Sequence, residues 1–121
     1  MPNPVVHFEI IGKDGKKSQD FYAKLFGWHI DANNPMNYGI VDTHTKGGIG
    51  GGIGPSMDGK PAIRFYVDVP DLQKTLDQAK KLGGKTIMPP TEIPGGPTMA
   101  MFTDPDGNII GLTKEGSMKS R

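Results

Sequence analysis

The stretch Met99-Ala-Met-Phe-Thr-Asp-Pro-Asp-Gly-Asn-Ile-Ile-Gly-Leu112 decides the fold, because it predicts two strands joined by a tight turn. Apolar side chains stand on both sides of Asp104-Pro-Asp-Gly107. Proline presets φ for the second position of a turn, and glycine readily takes a position with φ > 0. An Asp-Gly pair between two apolar runs is a strong hairpin signal. The stretch therefore predicts a β-hairpin.

A weaker copy of this hairpin lies at residues 38–51 and indicates an internal duplication. When Gly47 is laid on Gly107, Gly51 meets Gly111. Each hairpin follows a strand, a helix and a further short strand, and the units begin with the strands at residues 5–11 and 61–69. The sequence therefore predicts an α+β fold of two tandem βαβββ modules, at about residues 4–54 and 61–115, within a single domain of residues 1–121.

Both predicted helices carry apolar side chains at helical spacing. We expect these side chains to form one face of each helix. Gly27 and Gly83 stand where the helices should end. The apolar positions are Phe21, Tyr22, Leu25 and Phe26 in the first helix and Leu72, Leu76, Ala79 and Leu82 in the second.

Composition excludes several classes of function. The net charge is +1 and charged residues make up 22% of the chain, so no nucleic-acid footprint is evident. Cysteine is absent, which rules out disulfides, thiolate metal sites and cysteine nucleophiles. The first residues lack a signal-peptide pattern, and no apolar run approaches the ~20 residues that span a bilayer. We expect a cytoplasmic globular protein that binds neither nucleic acid nor membrane.

Four segments together resemble the vicinal oxygen chelate superfamily, also called the glyoxalase/bleomycin-resistance/extradiol-dioxygenase group. They are His7-Phe-Glu9, the run from Phe21 to Trp28, Leu82-Gly-Gly-Lys85, and the run from Phe102 to Gly107. The resemblance covers nearly the whole chain. Pro89-Pro-Thr-Glu-Ile-Pro94 further resembles a narrower set of glyoxalase-like domain proteins. The resemblance implies paired βαβββ modules, each curling a mixed sheet into a cup, and commonly a homodimer.

Metal-using relatives take ligands from the first and last strand of each module. In this chain His7 stands at the first such place and Arg64 at the second, while the last-strand places fall on about Gly51 and Gly111. Arginine stays protonated and glycine has no side-chain donor, whereas a zinc, nickel or iron site needs three or four N or O donors. We therefore expect no metal and no cofactor, which argues against glyoxalase I or extradiol chemistry by the usual metal route.

His7 and Arg64 each have a structural and a functional interpretation. His7 is either a half-buried strand histidine with a hydrogen-bond partner, or a base or donor in a pocket. Arg64 either pairs with Glu9 or Asp68 or points to solvent, or it binds a ligand carboxylate or phosphate.

The glycine-rich run from Lys46 to Gly54 lacks the Lys-Ser/Thr ending of a phosphate-binding P-loop. It is more typical of a strand whose glycines allow a ligand or another backbone to approach closely. Gly51 and Gly111 would then leave the predicted cup open. Which other side chains line the cup depends on strand register, since a shift of one residue exchanges the two faces of a strand.

We predict a homodimeric protein that binds a small, apolar or anionic molecule in a sheet-lined cup without metal. The alternatives are a lyase, isomerase or hydroxylase-like enzyme with His7 as its base, and a structural or regulatory dimer without ligand. No catalytic residue is assigned. The candidate substrate-binding residues are His7, Gly51, Arg64, Tyr66, Met99, Phe102 and Gly111.

Overall fold

The structure is a computed structural model that describes residues 2–44 and 46–117. These residues form eight strands and two helices, and the order strand, helix, three strands occurs twice, so the α+β prediction is confirmed. The first set comprises β1 (Val5–Gly12), α1 (Gly15–Phe26), β2 (His29–Asp31), β3 (Gly39–Asp42) and β4 (Gly51–Pro55). The second comprises β5 (Ala62–Val69), α2 (Leu72–Lys81), β6 (Lys85–Glu92), β7 (Thr98–Thr103) and β8 (Ile109–Lys114). None of the helices in these residues is long and apolar enough to cross a membrane.

The described residues divide into two compact units, which are residues 7–64 and residues 2–6 with 65–117. In the unit of residues 7–64 the strands lie in the order β2-β3-β4-β1. Neighbouring strands are antiparallel except β4 and β1, which run parallel. One hairpin prediction is confirmed here, because β3 and β4 pair as the sequence pattern indicates.

Helix α1 packs on this sheet through a polar side chain. The helix begins after Asp14, whose carboxylate accepts the backbone N–H of Lys17 at 3.1 Å, and it ends at Gly27 with φ at 72°. Gln19 is buried and donates from Nε2 to the carbonyl oxygen of Ile53 at 2.8 Å and to that of Asn37 at 3.1 Å. The amide therefore links α1 to the backbone of β4 and to that of the loop before β3.

The predicted apolar face of α1 is on the outside instead. Phe21 and Leu25 are each 58% exposed and Phe26 is 56% exposed. The reason is that α1 approaches the sheet through Gly15 and Gln19, and a Cβ on Gly39 would come within 2.9 Å of the Gln19 amide. The aromatic rings instead contact one another in an aromatic cluster that consists of Phe8, Phe21, Tyr22, Phe26 and Trp28.

The second unit has its strands in the order β5-β8-β7-β6 and an apolar core under α2. Asp71 caps this helix by accepting the backbone N–H of Lys74 at 3.0 Å. Leu72 and Leu76 are buried as predicted, but Leu82 is 71% exposed because the helix ends at Lys81. The buried core consists of Val69, Leu72, Leu76, Ala100 and Leu112.

The hairpin predicted from Asp104-Pro-Asp-Gly107 is confirmed between β7 and β8. Gly107 has φ at 94°, as the turn requires. The Asp104 carboxylate accepts hydrogen bonds from the side chain and backbone N–H of Asn108, each at 2.9 Å, and from the backbone N–H of Asp106 at 3.0 Å. These bonds, above all that from the Asn108 side chain, lower the pKa of Asp104 from 3.8.

Candidate functional site

The two faces of β1 carry different chemistry. Phe8 belongs to the face that meets the aromatic cluster, where its ring lies 5.4 Å from that of Trp28. Successive side chains of a strand point to opposite faces, so His7 and Glu9 share the other face. Both are buried, with 8% exposure each. These two ionisable side chains need hydrogen-bond or ion-pair partners, because burial of such groups without a partner is costly.

Tyr38 joins these two side chains. Its hydroxyl lies 3.0 Å from Nε2 of His7 and donates a hydrogen bond to Oε2 of Glu9 at 2.8 Å. The other oxygen of Glu9, Oε1, lies 3.4 Å from Nε of Arg64 on β5, and the side chains of this ion pair are 11% and 16% exposed. His7, Tyr38, Glu9 and Arg64 thus form a continuous polar network, all of it within residues 7–64.

Glycines on β4 make room for the tyrosine ring. A Cβ on Gly52 would overlap the Tyr38 hydroxyl and the ring carbons beside it, and a Cβ on Gly54 would lie 2.9 Å from Cδ1 of the same ring. The glycine-rich run therefore allows a close approach, as predicted, but what approaches is the ring of Tyr38. Asn34 orients this residue, since its side chain bonds both the backbone N–H and the carbonyl of Tyr38.

Gly51, a candidate substrate-binding residue, does not share a strand face with His7. In the parallel pairing of β1 with β4, Phe8 lies opposite Gly51 and Glu9 lies opposite Gly52. A Cβ on Gly51 would sit 2.6 Å from the Phe8 ring, on the side of the aromatic cluster. Gly52 is therefore the glycine of the polar face, and neither position is open space.

In the second unit, Tyr66 and Gly111 are paired as Phe8 and Gly51 are in the first, with an aromatic ring over a glycine. The Tyr66 ring is buried at 4% exposure and fills the place of a Cβ on Gly111, so the expected opening is wrong there too. Met99 lies opposite Thr113, which is two residues from Gly111 on β8 and so on the same face. Phe102 packs against the apolar core on the opposite face, which contradicts its predicted place in the cup.

Two clefts lie beside α1. One, of about 380 Å³, is mainly apolar and is lined by Ile10, Ile11, Gly12, Ser18, Tyr22, Pro61, Ala62 and Ile63. The other, of about 440 Å³, is lined by Lys13, Asp14, Lys17, Ser18, Phe21 and Tyr22. Neither cleft is lined by a member of the polar network. The sequence did not single out either of them.

Comparison with known proteins assigns the family. The model of the glyoxalase/bleomycin resistance protein/dioxygenase superfamily matches residues 5–112. The chain belongs to this superfamily. Anthracycline biosynthesis protein DnrV of Streptomyces peucetius is 27% identical over 135 residues, which cover 98% of this chain and 49% of that protein. The chain thus spans about half the length of this relative and of the similar DauV protein.

Solved structures of the superfamily share the fold. A superfamily member from Vibrio splendidus has a TM-score of 0.62 at 17% identity, and the match covers 94% of this chain and all of the other. Methylmalonyl-CoA epimerase from Mycobacterium tuberculosis has a TM-score of 0.65 at 15% identity, covering 91% of this chain and 86% of that one. At such identities the likeness extends to the fold alone.

The polar face carries two side chains of the metal-ligating type, His7 and Glu9. Within residues 2–44 and 46–117, no three His, Asp or Glu side chains come together in a way that could hold a metal ion. On the polar face His7 and Glu9 bond to a tyrosine hydroxyl that lies between them. Arg64 adds a permanent positive charge beside Glu9, which opposes a cation.

Sequence reasoning missed Tyr38 and named Glu9 only as a partner for Arg64. Tyr38 lies just before β3 and 31 residues from His7, and no local pattern predicts such a contact. The one available signal was the pair of glycines at alternate positions 52 and 54, which indicates that something bulky lies on that face of β4.

Proposed function

We propose that the protein binds a small organic molecule, largely apolar and with one anionic or hydrogen-bonding group, on the polar face of residues 7–64 and without a metal. The observation that carries this proposal is the polar network of His7, Tyr38, Glu9 and Arg64. Family membership supports it only at the level of the superfamily.

Burial of the polar network has a cost in free energy. The side chains of His7, Glu9 and Arg64 lose hydration on folding, and a buried ion pair often stabilises a fold less than apolar side chains of similar size. A structural role alone would be served as well by apolar residues. Preorganised donors and acceptors are what a binding site needs, because they orient a ligand without paying to reorganise.

Within the polar network, we place the ligand beside Tyr38 and Arg64. Tyr38 is half-buried, and the Arg64 side chain is the more exposed member of its ion pair. Guanidinium matches the planar geometry of a carboxylate or phosphate, so an anionic group would compete with Glu9 for Arg64. A neutral ligand would instead bond at the tyrosine hydroxyl and leave the ion pair intact.

A thermal-shift screen followed by calorimetry tests the proposal. Small organic acids and anthracyclines are suitable first compounds, the latter because two relatives are named for anthracycline biosynthesis. The double variant Glu9→Gln/Arg64→Gln removes both charges and should weaken binding of an anionic hit at least tenfold. The matched control neutralises an exposed ion pair, Lys16→Gln/Asp20→Asn, whose charged atoms lie 3.6 Å apart, and should bind as the wild type does.

The metal-free part of the proposal has its own test. Elemental analysis of protein purified without chelator, beside a His7→Ala variant, should find no stoichiometric zinc, nickel, iron or manganese in either. About one metal per chain in the wild type, lost in the variant, would overturn this part and make metal-dependent assays the next step.

A second candidate is an enzyme that uses His7 as a base. What favours it is the contact of His7 with Tyr38 and of Tyr38 with Glu9, since a histidine oriented by a second group is a common general base. Compounds found by the screen would be incubated in deuterium oxide and followed by NMR. Deuterium entering a carbon acid in the wild type, but not in His7→Gln, would support catalysis, and unchanged bound ligand would support binding alone.

We also propose a homodimer. The support is the exposed apolar surface of α1, where Phe21, Leu25 and Phe26 are each more than half exposed, because such surface patches are typical of interfaces. Light scattering should give a dimer for the wild type and a monomer for Phe26→Lys. Met57→Lys, which changes a fully exposed methionine outside the aromatic cluster, is the control and should remain dimeric.

A further inference from the structure

We infer that Tyr38 is a positioning residue that holds His7 in the tautomer protonated at Nε2, which makes Nδ1 the basic atom of the imidazole. The role of Nδ1 towards a ligand rests on the proposed function. The tautomer itself follows from the order of the hydrogen bonds.

Glu9 determines which atom donates in each hydrogen bond between Glu9, Tyr38 and His7. A carboxylate accepts hydrogen bonds and donates none, and Glu9 forms an ion pair as a carboxylate with Nε of Arg64 at 3.4 Å. The Tyr38 hydroxyl has one proton and directs it to Oε2 of Glu9 at 2.8 Å. The hydroxyl oxygen can therefore only accept from His7, 3.0 Å away, so Nε2 of His7 carries a proton.

A neutral imidazole has one N–H, so the other nitrogen holds a lone pair. With Nε2 committed to Tyr38, that nitrogen is Nδ1. A ligand hydroxyl or amide that bonds to His7 would therefore donate to Nδ1, and a proton taken from a ligand would go there. Glu9 acts on His7 through the orientation of the tyrosine hydroxyl.

Packing keeps the tyrosine in this orientation. Its ring lies on Gly52 and Gly54, and Asn34 holds its backbone from both sides. The ring planes of His7 and Tyr38 are 16° apart with centroids at 6.4 Å, so the two side chains pack as well as bond. Removal of the Tyr38 hydroxyl alone should preserve the packing of the ring, but it should no longer fix the tautomer of His7.

Nitrogen-15 NMR of the histidine rings at about pH 8, without any ligand, tests the inference. The same protein unfolded in urea gives the reference values for an unconstrained ring, because His29 and His44 contact each other and Nδ1 of His44 lies 3.8 Å from Asp42. We expect His7 in the wild type to show one tautomer, with a protonated Nε2 whose proton exchanges slowly. In Tyr38→Phe the slowly exchanging proton should be lost and the two ring-nitrogen resonances of His7 should move towards the reference values of the unfolded protein.

Two further variants keep the test decisive. Tyr22→Phe removes a hydroxyl in the aromatic cluster and should leave the His7 resonances unchanged. Gly52→Ala keeps the Tyr38 hydroxyl but displaces its ring, and should shift them as Tyr38→Phe does. A wild-type His7 protonated at Nδ1, or a His7 spectrum that Tyr38→Phe does not alter, overturns the inference. Since no ligand is present, either result leaves the proposed binding function to its own calorimetric test.

Discussion

Replacement of Gly52 by alanine should disrupt the polar network by displacing the ring of Tyr38. A Cβ at this position would overlap the Tyr38 hydroxyl, so the ring must leave its place on β4. Tyr38 would then lose its contact with His7 at 3.0 Å and its hydrogen bond to Glu9 at 2.8 Å. The backbone itself tolerates alanine, because Gly52 does not have positive φ.

The size of the effect follows from the two bonds. A neutral hydrogen bond contributes about 1 kcal/mol and one to a charged group about 2 kcal/mol. Alanine recovers about 0.5 kcal/mol by restricting the unfolded chain. The free energy of unfolding should therefore fall by about 2–3 kcal/mol, which lowers the urea midpoint by roughly 1–2 M for a protein of this size.

Urea unfolding followed by circular dichroism measures this loss, and Gly54→Ala is the matched control. The control adds a Cβ under the same ring at 2.9 Å from Cδ1, where a small ring movement suffices, so its cost should stay below about 1 kcal/mol. In a Tyr38→Ala background, Gly52→Ala should cost almost nothing, because the two residues are coupled. Equal effects of Gly52→Ala and Gly54→Ala, or an unchanged cost of Gly52→Ala in the Tyr38→Ala background, would mean that Gly52 does not make room for the Tyr38 ring.

Three other predictions test separate parts of the structure. Glu9→Gln removes the carboxylate that faces Arg64 and should destabilise the protein by on the order of 3 kcal/mol in urea unfolding; a change below about 0.5 kcal/mol would mean that the ion pair is not buried in solution. Asp104→Asn should destabilise the protein at pH 7. Because the folded pKa of Asp104 lies below 3.8, its stabilising contribution is complete above pH 3.8 and is lost as the pH falls through the lowered value. The difference between wild type and variant should thus narrow below pH 3.8 in a urea series across pH, and a constant difference would contradict this. Leu76→Ala, at a side chain 2% exposed, should cost about 2–5 kcal/mol, whereas Leu82→Ala, at 71% exposure, should change thermal unfolding little.

Local patterns were sufficient to predict the elements and their order. The Asp104–Gly107 turn, the glycine after α1 and the spacing of Leu72 and Leu76 depend on neighbours within a few residues, and all three are confirmed. The family resemblance rests on the same local segments and is confirmed by the family match over residues 5–112.

The register of paired strands, and the side of α1 that meets the sheet, could not be predicted from local patterns. Gly51 and Gly52 are adjacent in the glycine-rich run, and only the pairing of β4 with β1 decides which one lies beside Glu9. The aromatic pattern of α1 indicated a packing face, but the close approach at Gly39 and the hydrogen bonds of Gln19 determine which side meets the sheet.

The candidate site was predicted in part. His7 and Arg64 were identified, and the structural interpretation of Arg64, pairing with Glu9, is what the structure has. Tyr38 was not identified, because a loop residue that reaches across 31 positions leaves no periodic signal. Whether these residues bind a ligand is a prediction still to be tested.

The most direct test of the central claim is a two-dimensional NMR titration of the isotope-labelled protein with the strongest compound from the thermal-shift screen. We expect the largest shifts to fall on the polar network, at His7, Glu9, Tyr38 and Arg64. Shifts centred instead on the cleft beside α1, at Ser18 and Tyr22, with the network unmoved, would contradict it.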